Sequence, residues 1–198
     1  VSRALDSPAQ DGRRDPRLQG LVDGLLRWNR RMNLSGHRRA AGVWDDLIAD
    51  GLAVAPWVRG ETLLDIGSGA GFPGLVLAVA VAGLEVTLLE PREKRVAFLH
   101  HMIRELELGG RVRAVRGRAH PRRRQDPPGL AGLSFDCVSL RAVAGLEESL
   151  ALARPYLAPG GRVLLPRGLS DAQAARSLGL EAREYQTPAG RRLLVLAG

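Results

Sequence analysis

The residues best placed to do chemistry are where Leu63-Leu64-Asp65-Ile66 runs into Gly67-Ser68-Gly69-Ala70-Gly71-Phe72-Pro73-Gly74. An apolar run ends in an acid, glycines alternate, and a helix begins. Glycine permits positive φ and lets a ligand approach the backbone closely. A helix start offers N–H groups that lack an intrahelical partner. Residues 69–74 match G-x-G-x-x-G, the dinucleotide fingerprint, but that match alone is weak. The register differs, because Asp65 and Gly67 come first and extend the pattern to D-x-G-x-G-x-G. Pro73 also removes an N–H that a pyrophosphate would use. An acid at the strand end suits a ligand with a positive sulfonium and an amino group better than a diphosphate. Asp65, Gly67 and Gly69 are therefore expected to hold S-adenosylmethionine in preference to NAD. Glu90 closes the next apolar run, Val86-Thr87-Leu88-Leu89, where a carboxylate for ribose hydroxyls belongs. Either cofactor would use it.

The remaining candidates are mostly cations. Arg141 follows the run Phe135 to Leu140 and is expected to point into a cleft. There it would bond the cofactor or a substrate base as the one candidate catalytic residue; a plain surface ion pair is the alternative. Lys94, Arg95, Arg118 and Arg167 fall near strand ends and together could hold phosphates. Asn33 suits a base edge or a helix C-cap. No nucleophile–base pair is evident. Ser68 and Ser139 have no histidine placed beside them, and Cys137 lies mid-strand, where a core role is expected. His100 and His101 are adjacent on a helix and cannot share a face. His37 has no partner at ligand spacing, so no metal is expected.

These groups need a scaffold. Residues 1–17 read as a flexible tail, rich in Asp, Arg, Pro and Gly. Residues 18–58 read as a helical segment: Leu18, Leu21, Val22, Leu25, Trp28 and Met32 recur at helical spacing, and a second helix runs from Val43 to Val58. Residues 59–198 read as the cofactor-binding domain. Strands are expected at 62–66, 85–89, 112–115, 135–140, 162–165, 181–186 and 192–196. Helices are expected at 73–82, 96–106, 146–157 and 171–178, with turns at 159–161 and 188–190. Strands alternating with helices give an α/β, doubly wound, mostly parallel sheet, and the final strand–turn–strand pair makes one edge antiparallel.

The 198 residues carry 29 Lys+Arg against 21 Asp+Glu, a formal net charge of +8, and Lys94 is the only lysine. The arginine bias fits a GC-rich genome, but the net excess raises the expectation of a polyanionic partner. Arg122-Arg123-Arg124 sits in a surface loop and reads as a solvated charge run or an RNA contact. No apolar run reaches the roughly 18 residues of a membrane span. The polar start, Val1 to Gly20, lacks a signal-peptide core. A single cysteine excludes an internal disulfide framework. A cytoplasmic monomer without a membrane partner is expected.

Several motifs in order resemble the ribosomal small-subunit methyltransferase G family, also called glucose-inhibited division protein B. They are Trp28-Asn29 with Met32-Asn33-Leu34-Ser35, the glycine loop 67–74, Lys94 to Leu99, Gly117-Arg118-Ala119-His120, Ser139-Leu140-Arg141-Ala142, Pro159-Gly160-Gly161, and Arg192 to Leu196. The resemblance covers nearly the whole chain from Leu18. It implies a Rossmann-like class I methyltransferase fold and methyl transfer to N7 of one guanine in 16S rRNA. It implies 16S rRNA or the small ribosomal subunit as partner. It also places Gly67, Phe72, Ala119, His120 and Arg141 at cofactor-contacting positions. The sequence departs from the family's H-x-x-D-S element at Leu47-Ile48-Ala49-Asp50-Gly51. It carries His120 where an acid is usual, Leu140 where a serine is usual, and Arg167 where a lysine is usual. The alternatives are a methyltransferase of another substrate, a divergent or inactive relative that binds cofactor or RNA, a nicotinamide-dependent oxidoreductase, and a non-enzymatic RNA-binding protein.

Overall fold

A computed structural model describes residues 15–122, 126–141 and 144–198. Of the expected tail, residues 1–14 lie outside this set, as do Arg123, Arg124 and Ala142. Residues 15–17 are not tail. Asp15 caps helix α1 (Pro16–Met32), its side chain accepting from the Arg17 N–H, and Pro16 takes the first turn, where a missing N–H is harmless.

A second helical stretch follows. It opens with α2 (Ala40–Gly42), widens into a π-helical segment (Val43–Ile48), tightens into α3 (Ala49–Val54) and ends in a 3₁₀ turn (Ala55–Trp57). The α/β unit comes next, with β1 (Thr62–Ile66), α4 (Gly74–Ala80), β2 (Glu85–Glu90), α5 (Glu93–Glu105), β3 (Val112–Arg116) and β4 (Phe135–Leu140). It continues through α6 (Leu146–Ala153), β5 (Leu157–Arg167), α7 (Ala172–Ser177), β6 (Glu181–Thr187) and β7 (Gly190–Ala197).

The seven strands form one sheet in the order β3-β2-β1-β4-β5-β7-β6. The β1–β5 block is parallel, and β7 runs antiparallel to both β5 and β6. The order reverses between β1 and β4, and a ligand crevice opens at such a reversal, beyond the carboxyl ends of the strands. Because side chains alternate along a strand, each strand feeds two cores. Leu63, Val86, Leu88, Cys137 and Leu164 pack with α1, α3, α4 and α5 on one face. Leu64, Leu89, Val138, Val163 and Val195 pack with α6 and α7 on the other. The N-terminal helices thus share the sheet's core instead of building their own.

Two glycines permit this packing. A Cβ at Gly24 would meet Met102 Sδ at 2.5 Å, so α1 lies close on α5. A Cβ at Gly51 would meet Val76 Cγ1 at 2.7 Å, so α3 lies close on α4.

Three expectations need correction. Pro159-Gly160-Gly161 is not a turn but part of β5, where the register with β4 shifts and Gly160 adopts φ 74°. The helix from Leu146 stops at Ala153 and gives way to a 3₁₀ turn (Arg154–Tyr156) with Pro155 in its first turn, and Leu157 already belongs to β5. Pro73 lies outside α4, as its N-cap.

Candidate active site

The glycine loop leaves β1 with three left-handed residues: Gly67 at φ 71°, Gly69 at φ 59° and Gly71 at φ 88°. Their N–H groups turn inward. Gly67 and Ser68 both donate to Leu89 O, at 2.8 and 3.1 Å, and Gly71 and Phe72 both donate to Ser68 O, at 2.7 and 3.2 Å. Gly69 N–H donates to Glu90 Oε2 at 3.0 Å. These groups are already used, so the loop is not a phosphate cradle, which needs free N–H groups. It presents a concave backbone surface to a ligand that brings no diphosphate.

Asp65 is expected on the ligand, and the structure corrects this. It is 1% exposed and does not line the cavity. Its Oδ1 accepts from the Ser139 hydroxyl at 2.8 Å, and its Oδ2 faces Gly74 N–H, the start of α4, at 3.3 Å. Burial pushes its pKa to about 6, outweighing the hydrogen bonds from Ser139, Ser68 and Gly74 that favour the charge. Asp65 therefore shapes the loop from beneath by tying β1 to β4 and to the start of α4.

Above the loop a cavity of about 450 Å³ opens at the carboxyl ends of β1, β2 and β4. Gly67, Gly69 and Phe72 form its floor, and Glu90, Arg95, Arg118 and Arg141 stand on its walls. Glu90 is 2% exposed, and its other oxygen, Oε1, accepts from Arg92 N–H at 2.9 Å. A carboxylate oxygen has two lone pairs, so each can still accept from a ribose hydroxyl. Arg95 Nη1 stands 3.8 Å from Glu90 Oε2.

The N-terminal segment supplies the facing wall through Leu34, Ser35 and Leu47. Asn29, buried in α1, fixes it. Its amide nitrogen donates to Ser35 O at 3.0 Å and His37 O at 2.6 Å, and its Oδ1 accepts from Ser35 N–H at 3.0 Å.

Arg141 reaches the cavity but is not a free cation. Its Nε donates to Asp50 Oδ2 at 2.9 Å and its Nη2 to Asp46 Oδ1 at 3.1 Å. Tyr185 of β6 donates its hydroxyl to Asp50 Oδ1 at 2.5 Å. Arg192 of β7 pairs with Asp46 Oδ1, and His37 Nε2 lies 3.0 Å from Asp46 Oδ2. Burial beside Asp50 drives the Tyr185 phenol well above its ordinary pKa, so it stays a donor. This hub joins the π-helical segment, α3, the end of β4 and the β6–β7 hairpin. Nη1 of Arg141 has no acceptor among the described residues and remains available to a ligand.

Other expected residues lie elsewhere. Ala119 and His120 follow β3 outside the cavity lining; His120 N–H donates to the Tyr156 hydroxyl at 3.1 Å. Asn33 is the left-handed C-cap of α1 at φ 48°, and its Oδ1 accepts from Arg38 at 2.8 Å. Lys94 is exposed on α5 and does not line the cavity. Arg167 does not present a free cation to phosphate. Its side chain is 8% exposed, and it donates to Ala144 O at 2.7 Å and to the Ser149 hydroxyl. Cys137 is a buried core thiol, its pKa raised by burial and its Sγ donating to Arg59 O at 3.2 Å. Sequence reasoning missed Asp46, Tyr185, Arg192 and the bracing role of Asn29. None belongs to a spacing motif with its partners, and only the Trp28-Asn29 pair and the run Arg192 to Leu196 carry a signal.

The geometry can be set beside known proteins. The GidB family profile, described as rRNA small subunit methyltransferase G, matches residues 14–187. A ribosomal RNA small subunit methyltransferase G from Myxococcus xanthus is 40% identical over 183 residues, covering 87% of this chain and 82% of the relative. One from Salinispora tropica is 42% identical over 151 residues, 76% of this chain. The chain spans 60% of that relative's length. An O-methyltransferase from Bacillus cereus, solved in complex with SAH, superposes with a TM-score of 0.62 at 18% identity, covering 89% of this chain and 90% of that one. This last likeness speaks for the α/β methyltransferase fold alone.

Proposed function

This chain belongs to the rRNA small subunit methyltransferase G family, and we propose that it transfers a methyl group from S-adenosylmethionine to N7 of a guanine in 16S rRNA. The observation that carries the cofactor reading is the loop in which the N–H groups of Gly67, Ser68, Gly69, Gly71 and Phe72 are spent internally while Glu90 faces the cavity. At the loop itself a diphosphate would find a carboxylate and few free backbone donors, which counts against a nicotinamide cofactor. A nucleoside with a cationic sulfonium finds a ribose acceptor and no excess of positive charge at the floor.

S-Adenosylmethionine, when bound, supplies an electrophilic methyl group on sulfonium sulfur. Guanine N7 carries an in-plane lone pair, so no proton must leave it first. The chain's task is to position the base and exclude water. Gly67 and Gly69 let the cofactor approach the backbone, Glu90 would hold the ribose, and Phe72 closes the floor. Arg141, held by Asp46 and Asp50, would present Nη1 to the carboxylate of the cofactor or to the base. Arg92, Arg95 and Arg118 would steady the RNA backbone at the rim. We place the protein in the cytoplasm as a monomer acting on 16S rRNA, naked or within the small subunit.

The test is titration calorimetry with S-adenosylmethionine, with NAD and NADP as controls. Transfer of labelled methyl to 16S rRNA, mapped to guanine N7, follows. Binding of S-adenosylmethionine alone with N7 labelling is expected. Cofactor binding without methyl transfer would favour the inactive-relative reading.

A further inference from the structure

A second cavity, about 660 Å³, lies on the outer face of α1 and α5, apart from the candidate active site. It is lined by Arg27, Trp28, Arg30, Arg31, Met32 and His101. Trp28 is half-buried. It meets Phe98 edge-on at 5.5 Å between ring centroids and faces His101 at 5.2 Å with 36° between the rings. Glu105 fixes two of the walls, pairing with Arg27 at 2.6 Å and His101 at 2.8 Å. Arg30 and Arg31 are exposed and make no ion pair among the described residues. They occupy the last turn of α1, where the helix dipole favours cations.

We propose that this cleft binds an unpaired nucleotide of the RNA substrate, its base against Trp28 and His101 and its flanking phosphates on Arg30 and Arg31. The inference rests on RNA being the substrate. Aromatic planes stack any base, and guanidinium forks match phosphate. A cleft joining the two has the chemistry of a single-strand site, and its surplus of positive charge suits no neutral ligand. Both walls also lead to the candidate active site. On α5, Arg95 lines the first cavity, and His101 lies six residues, roughly 9 Å, further along the helix. On α1, Met32 is followed closely by Leu34 and Ser35 of the facing wall. A strand with its target base in the first cavity would reach the second by crossing the end of α1.

The test uses the full chain, a fluorescein-labelled RNA oligonucleotide carrying the target guanine in a single-stranded loop, and the double variant Arg30→Ala, Arg31→Ala. Both positions are exposed, so folding is preserved. RNA affinity is expected to fall about tenfold. The slope of log affinity against log salt should shrink by about 1.4, or 0.7 for each lost phosphate contact. KM for RNA should rise, while kcat and S-adenosylmethionine affinity stay unchanged. Trp28→Leu, which keeps apolar packing on Phe98, should abolish the quenching of tryptophan emission by RNA. A double variant with unchanged RNA affinity and slope, in a chain that methylates RNA, overturns the proposal. So does a defect seen only with the assembled subunit and not with naked RNA, which would assign the cleft to a protein partner. If the unaltered chain neither binds nor methylates RNA, the proposed function fails instead.

Discussion

Nε of Arg141 donates to Asp50 Oδ2 at 2.9 Å, linking residues 91 positions apart in the chain. Asp50 is 2% exposed, so this guanidinium, with the Tyr185 hydroxyl on the other oxygen, is what makes its charge tolerable there. Arg141→Ala is expected to destabilise the fold by about 3 kcal/mol, because it leaves a buried carboxylate with the Tyr185 hydroxyl but no countercharge. Arg141→Met with Asp50→Leu should cost less than Arg141→Ala alone. Thermal unfolding of the three variants checks this, and equal melting of Arg141→Ala and the parent would reduce Arg141 to a ligand contact.

Glu90 gives a prediction confined to binding. Glu90→Ala removes the acceptor of Gly69 N–H and Arg92 N–H and the expected ribose partner. A hydrogen bond to a charged group contributes about 1.5–3 kcal/mol, so affinity for S-adenosylmethionine should fall by a factor of about 10 to 100. Calorimetry measures it directly. An unchanged dissociation constant would place the ribose elsewhere.

Asp65 couples stability to pH. Its carboxyl sits at about 6 in the folded chain against an ordinary 3.8. Between these values the folded chain binds more protons than the unfolded one, so stability falls as pH rises through the window. The loss is on the order of 3 kcal/mol and is complete above about pH 6. Asp136, held low by the N–H of Glu61 and the hydroxyl of Thr62, acts with the opposite sign and below that window. Asp65→Asn should flatten the slope between pH 4 and 6 in urea titrations. A slope identical to the parent's would assign the effect to another group.

Gly51 lets α3 lie close on α4, and a side chain there would run into Val76. Gly51→Ser is expected to cost about 1–3 kcal/mol through overpacking. Val76→Ala should recover part of that loss, which a double-mutant cycle on melting temperature will show. Additive effects would mean that α3 moves off α4 instead.

The glycine loop, the strand-end acids and the alternation of strands and helices were legible in the sequence because each depends on neighbours in the chain. Short apolar runs such as Val86 to Leu89, buried on both faces of the sheet, and the positive-φ glycines are local signals. The Arg141 hub was not legible. Asp46, Asp50, Tyr185 and Arg192 meet only after α3 and the β6–β7 hairpin have docked, and their spacing is set by the sheet. Asp65 was misread for a related reason. The strand-end acid faces Ser139, its neighbour in the parallel register, so its contacts were decided by pairing with β4. Of the two roles open to Asn33, base contact and helix C-cap, the structure takes the C-cap, and local bonds likewise claim Arg167, whose residue type points to phosphate.

The position of β7 between β5 and β6 has a consequence for how the protein is made. While a ribosome is still translating residues 190–197, β5 presents an unpaired edge rich in Val and Leu, open to any other nascent strand. Arg192, which Asp46 takes from β7, is then missing as well, and Tyr185 lacks the β7 pairing that places it on Asp50. Sheet closure and assembly of the Arg141 anchor therefore wait on the same segment, and a chain arrested short of β7 is left sticky and without its completed anchor.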